Sequence, residues 1–301
     1  MLPRRTFLKN AGLLAAGVAA LRPLARASAR TVSPNEKLNV AVIGFGGVGG
    51  SNISNCADEN VVAMCDLDLK RCAGTIKKFP NAELFTDFRK MLEKRKDIDA
   101  VIIATPDHSH AFIGMACMRE GKHVYIQKPI AHSVFEARRL TEGAREFKVI
   151  SQMGNQGHSG EGIRQVTEWI AAGLIGKVRE VHTWTNRPIW PQSLEMDRPT
   201  DVQKAPQGMD WDQWCGPAPL RPFHASYHPG KGRAWWDFGT GSLGDMGCHI
   251  IDPAFMALNL GYPDSVEGNL STVYETFGKK TSGKNESYPR SSIVRYKFPA
   301  R

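Results

Sequence analysis

The run HVYIQKPIA, residues 123–131, is an apolar strand that ends on Lys128 and Pro129. Lysine resists burial, so such a strand either lets its last side chain snorkel to water or delivers an ammonium to a reaction centre. An ammonium placed there could steady a developing oxyanion. Farther along, Asp245 and His249 are four residues apart, which puts both on one face of a helix. An imidazole titrates near ~6.5, suited to accepting a hydroxyl proton. The carboxylate could orient that imidazole or hydrogen-bond a substrate.

Two other polar clusters have the spacing of metal ligands. They are Asp107-His108-Ser109-His110 and His249-x-x-Asp252. No third ligand of suitable spacing stands near the first, and Asp107 or Ser109 suits a helix N-cap. Asp252 suits hydrogen bonding or capping, so no metal is expected.

The elements that must position these groups begin with LNVAVIGFGGVGGSNI, residues 38–53. A β run is followed by Gly44, Gly46 and Gly49 in the order G-x-G-x-x-G, then by a helical pattern. Such glycines permit a tight turn and close approach of backbone N–H groups to a pyrophosphate, with Gly47 and Val48 in the same turn. A second apolar run, VVAMCD, ends on Asp66, 22 residues after Gly44, where a carboxylate would take the adenosine ribose 2′-OH. A carboxylate there repels a 2′-phosphate and favours NAD over NADP, a preference softened by Lys70 and Arg71. Strands over 97–105, 123–127 and 148–153 alternate with helices over 107–121 and 133–147. This alternation predicts a parallel sheet covered on both faces. Ligands bind at the C-terminal strand ends of such sheets, where ATPDHSH and IQKP fall.

Residues 1–30 read as a leader: the twin arginines Arg4 and Arg5, a short apolar run from Ala11 to Leu21, then small residues. The run is too short for a comfortable span and its flanks suit a cleaved twin-arginine signal peptide. That predicts export to the periplasm or another extracytoplasmic space, with no membrane contact once the leader is cleaved. The leader carries six basic side chains and no acid, so the formal net charge of +9 falls to +3 beyond it. That balance gives no case for nucleic acid. The six cysteines form no CxxC pair and are expected to be mostly free thiols.

Taken in order, GFGGVG, Cys65-Asp66, ATPDHSH, QKP, Gly154-Asn155-Gln156 and GSLGDMGCHIIDP (241–253) resemble the Gfo/Idh/MocA oxidoreductases. The resemblance implies an α/β fold: a Rossmann-type parallel sheet over residues 31–155, then an α+β open-sheet domain over 156–301. That second domain normally continues for several more strands, so the chain is expected to be truncated. The resemblance assigns catalysis to Lys128, Asp245 and His249. It places NAD against Thr105, Pro106, His110, Gln127, Lys128, Asn155 and Gln156, and the expected export, to a space with no obvious pool of free NAD, implies that the cofactor is tightly bound. Gln127 stands where the family carries glutamate. A homo-oligomer is implied for the full-length form.

Six tryptophans lie between residues 184 and 236, and flat indoles suit the C–H faces of sugar rings. Trp190 and Trp235 are the first candidates for substrate contact, with His158, Arg164 and His249 reaching the same pocket. The expected activity is NAD-dependent hydride transfer to or from a sugar, polyol or sugar derivative. A glycosidase that oxidises a sugar carbon transiently is the alternative, and a non-enzymatic nucleotide- or sugar-binding protein a third reading.

Overall fold

The computed structural model describes residues 36–188, 197–271 and 286–300, and the residues from Leu38 on form one compact unit. The leader and Trp190 lie outside the described residues.

Six parallel strands form the first sheet, in the order β3-β2-β1-β4-β5-β6. They are β1 (Asn39–Ile43), β2 (Asn60–Cys65), β3 (Glu83–Phe85), β4 (Ala100–Ile103), β5 (His123–Gln127) and β6 (Ser151–Gly154). Alternate residues face opposite sides of a strand. Ala41, Ile43, Val101, Ile103, Val124 and Ile126 pack on one side against Ile113, Cys117, Met118 and Leu140. These come from α4 (His110–Arg119) and α5 (Val134–Glu146). Val40, Val42, Met64 and Ile102 face the other side, against Ile53 of α1 (Val48–Ser54) and Cys72. Both faces of the central strands are therefore covered, and for that reason those strands read as continuous apolar runs.

Between β2 and β4 lie α2 (Ala73–Ile76), β3 and α3 (Phe88–Lys94), all too short to give a clear period. The helix expected over 107–121 starts as a 3-10 turn, Asp107–Ser109, before α4. Helix α5 begins in a full capping box: Ser133 accepts from the Glu136 amide, and the Glu136 carboxylate accepts from the Ser133 amide.

The second part contains α6 (Glu161–Ala171), α7 (Trp211–Cys215), α8 (Gly241–Ile250), α9 (Asp252–Leu258) and an antiparallel pair, β7 (Ser265–Leu270) with β8 (Ser292–Lys297). The strand signal from residue 178 gives no ladder among the described residues; 178–188 carry no regular structure and are largely exposed. Trp214, Tyr227, Trp235 and Phe238 form a second core, and Trp211 stacks on Trp214 with centroids 4.4 Å apart. Arg198 sits over this cluster, 5.7 Å from the Trp235 ring, and is paired to Asp237 and Glu286.

His108 ties the two parts together. Its Nδ1 lies 3.0 Å from the Phe238 carbonyl and its Nε2 2.9 Å from the Trp214 carbonyl. Burial holds its pKa below the ordinary value, so the ring is neutral and donates to one carbonyl at a time. The unfolded chain then binds the extra proton, so stability falls as pH drops below ~6.5. His228 is pushed down too, by burial and then by Arg71, and adds in the same direction. Denaturant titrations between pH 7 and 5 should show this loss. His108→Gln should remove up to about 1.4 kcal/mol per pH unit of the slope; an unchanged slope would show that His108 does not titrate there.

Candidate active site

A cleft of about 670 Å³ runs along the C-terminal ends of the first sheet's strands. At one end the β1–α1 turn forms a cradle. Gly44 has φ +80°, and a Cβ there would lie 2.8 Å from the Ala104 carbonyl. A Cβ on Gly49 would come within 1.9 Å of the Gly44 oxygen. Gly44, Gly46, Gly47 and Val48 line the cleft, while Gly49 is buried behind them.

Asp66 is in the cleft wall, but its carboxylate is engaged by the turn itself. Oδ2 accepts from the amides of Phe45 at 2.8 Å and Gly46 at 3.1 Å, and Oδ1 from Asp68 at 2.9 Å. It shapes the glycine turn, and its remaining lone pairs are what a ribose hydroxyl could use. Leu67, Asp68, Arg71 and Arg89 surround this end. Trp214, Met209 and His228 of the second part wall it from the far side.

At the other end β5 delivers Lys128 into the cleft, as its position at a strand terminus suggested. The ammonium is held at 2.8 Å by both the backbone oxygen and Oδ1 of Asp245, in a largely buried pair. Asp245 therefore orients the lysine rather than the imidazole four residues on. Arg233 lies 3.4 Å from Asp245 Oδ1 and 3.6 Å from Asp107 Oδ1, and Arg187 lies 3.9 Å from Asp245 Oδ2. His249 lines the same cleft, with Nδ1 at 3.2 Å from the Gln156 carbonyl. A carbonyl only accepts, so Nδ1 carries the proton and Nε2 is left as the basic nitrogen. Lysine and imidazole thus meet at one end of one cleft.

Thr105, Pro106, Gln127 and Gln156 also line it. His110 does too, with Nδ1 2.7 Å from the Pro129 carbonyl and Nε2 2.8 Å from the Thr105 carbonyl, and a ring with one N–H donates to one of them at a time. Its part is to fix the loop that follows β4. Asn155 is not in the cleft wall; it braces α8 by donating to the Cys248 carbonyl at 2.8 Å.

Several expected substrate contacts fall elsewhere. Trp235 is 1 % exposed, with its indole N–H on the Ser226 carbonyl, because a side chain of that size is the centre of the aromatic core. Arg164 is on the exposed face of α6. His158 is half-exposed and pairs with Asp252 at 2.8 Å, outside the cleft wall. The residues that sequence reasoning missed are Arg233 and the wall segment 209–232. The density of aromatic residues was the one signal for the wall, and Arg233 had none. All six cysteines are free. Among the described residues no cluster of three or more metal-ligating side chains forms, and no helix is long and apolar enough to cross a membrane.

Two family models match the chain. One, an oxidoreductase family NAD-binding Rossmann fold, covers residues 38–155; the other, the C-terminal alpha/beta domain of the same family, covers 160–270. The chain belongs to the Gfo/Idh/MocA oxidoreductase family. Among curated proteins, an inositol 2-dehydrogenase of Rubrobacter xylanophilus is 31 % identical over 147 residues, 47 % of this chain and 42 % of that protein. An alpha-N-acetylgalactosaminidase of Shewanella oneidensis is 30 % identical over 202 residues, 58 % of this chain and 44 % of that one. The chain therefore spans less than half the length of these curated relatives. The WlbA dehydrogenase of Bordetella pertussis, solved with NADH and UDP-GlcNAcA, superposes with a TM-score of 0.59 at 16 % identity, covering 87 % of this chain and 68 % of that one. That likeness bears on the fold alone.

Proposed function

We propose that this protein is an NAD-dependent oxidoreductase that moves hydride between a nicotinamide cofactor and a carbinol of a sugar, polyol or sugar derivative. The observation that carries the proposal is the convergence of Lys128, held by Asp245, with His249 in the cleft that begins at the glycine turn. The residues present fit a dinucleotide. Side chains are excluded from the turn at Gly44 and Gly49, and Gln127 Nε2 is a buried donor with no partner among the described residues. Gly46, Gly47 and Val48 would hold the pyrophosphate, Asp66 the adenosine ribose, and Thr105, Pro106 and Gln127 the reacting end. When bound, the oxidised nicotinamide accepts the hydride from the carbinol carbon.

The chain's own groups do the rest. His249 Nε2 takes the hydroxyl proton as the C–O bond becomes a carbonyl. The Lys128 ammonium stabilises the oxygen as it loses that proton, and Asp245 keeps the ammonium aimed. The Lys128–Asp245 pair is itself largely buried, which strengthens these charged contacts. In the return direction the imidazolium gives the proton back.

A second reading rests on one partly matching relative. The Shewanella relative named as a glycosidase matches beyond the Rossmann part, into the second domain. In that reading the same groups oxidise a sugar carbon transiently and the hydride returns within one cycle. We also propose that residues 1–30 direct export by the twin-arginine route, that the cofactor is held tightly, and that the complete protein is a homo-oligomer.

The test is a product assay. Purified protein with added NAD and a panel of polyols and free sugars should accumulate NADH if the first reading is right. Release of nitrophenol from nitrophenyl glycosides without net NADH would select the second. Absence of both, in protein that binds NAD, would sink the catalytic proposal.

A further inference from the structure

Gln127 closes β5 immediately before Lys128, and its side chain is 5 % exposed in the wall of the cleft. Its Oε1 accepts from Gln156 Nε2 at 3.0 Å, which fixes the direction of the carboxamide. The other end, Nε2, has no acceptor among the described residues. A buried donor left dry is costly, so the place is built to be completed by an oxygen of a ligand.

Resting on the reading that the nicotinamide ring lies at the Lys128 end, we infer that Gln127 sets the balance between the two redox forms of the bound cofactor. The neutral carboxamide holds the reduced form more firmly, relative to the oxidised form, than a carboxylate at this position would. The two forms share the same ribose and amide oxygens, so the Gln127 N–H serves both alike. They differ by one positive charge on the ring. A carboxylate would attract that charge and favour the oxidised form alone. The Asp245 carboxylate, which holds Lys128, also faces Arg233 and Arg187. The glutamine therefore leaves the oxidised ring with no anionic partner from the end of β5.

Cofactor-stripped protein titrated with NAD+ and with NADH, followed by quenching of tryptophan fluorescence, tests this without turnover. Gln127→Glu should lower the ratio Kd(NAD+)/Kd(NADH) at least about tenfold, equivalent to about 30 mV in the potential of the bound couple. Gln127→Met, which removes the donor and adds no charge, should weaken both forms and leave the ratio within about twofold. If Gln127→Glu fails to fold, Gln156→Glu brings the charge from the other half of the pair and must move the ratio the same way. A ratio unchanged in the folded glutamate variant overturns the inference. Native protein that binds neither form overturns the underlying cofactor reading, and the inference with it.

Discussion

Lys128→Ala should lower turnover by about a thousandfold and leave NAD affinity within a fewfold of the native value. The rate loss is expected because one ammonium both stabilises the oxygen and fixes its position, and removing such a group costs on the order of 10²–10³ in rate. The fold should survive. Asp245 would lose its 2.8 Å partner but keep Arg233 at 3.4 Å and Arg187 at 3.9 Å, so no buried charge is stranded. Lys128→Arg should not rescue, since a planar fork cannot occupy the site of a compact point charge. Single-turnover kinetics on cofactor-loaded protein, with affinity measured by fluorescence, separates chemistry from binding. Native-level turnover in the alanine variant would remove Lys128 from the mechanism.

Gly49→Ala is expected to be the most damaging small substitution in the nucleotide half. The new methyl would sit 1.9 Å from the Gly44 oxygen, a backbone atom that cannot swing aside. The turn must open or the helix must retreat from β1, at a cost of about 3 kcal/mol or more. In a chain of this size that should lower the melting temperature by roughly 5 °C or more and weaken cofactor retention. Gly47→Ala is the control, because no atom lies within 4 Å of the Cβ it would add. It should melt like the native protein. Equal melting of the Gly49 and Gly47 variants would mean that the cradle is not as tight as described.

The central strands were legible because burial on both faces leaves little choice but valine, isoleucine and alanine. The glycine turn was legible because backbone crowding admits no other residue at Gly44 and Gly49. Lys128, Asp245 and His249 could be named from their order along the chain, but their pairing could not. Helical spacing links Asp245 to His249, whereas the hydrogen bond goes to Lys128, 117 residues away. That choice is made by tertiary packing. For the same reason Trp235 could not be told from a substrate platform: an indole fits a core and a sugar equally well, and only burial separates them. His110 looked like a pocket residue and is one, yet both of its ring nitrogens face carbonyls. Elements as short as α2 and β3 left no pattern to read.

The far wall of the groove is contributed by residues that follow the Rossmann strands by more than fifty positions, and His108 fastens to the carbonyl of Phe238. The enclosure of the groove is therefore a property of two distant stretches of chain folded against each other, and the glycine turn taken without the later stretch would border an open trough.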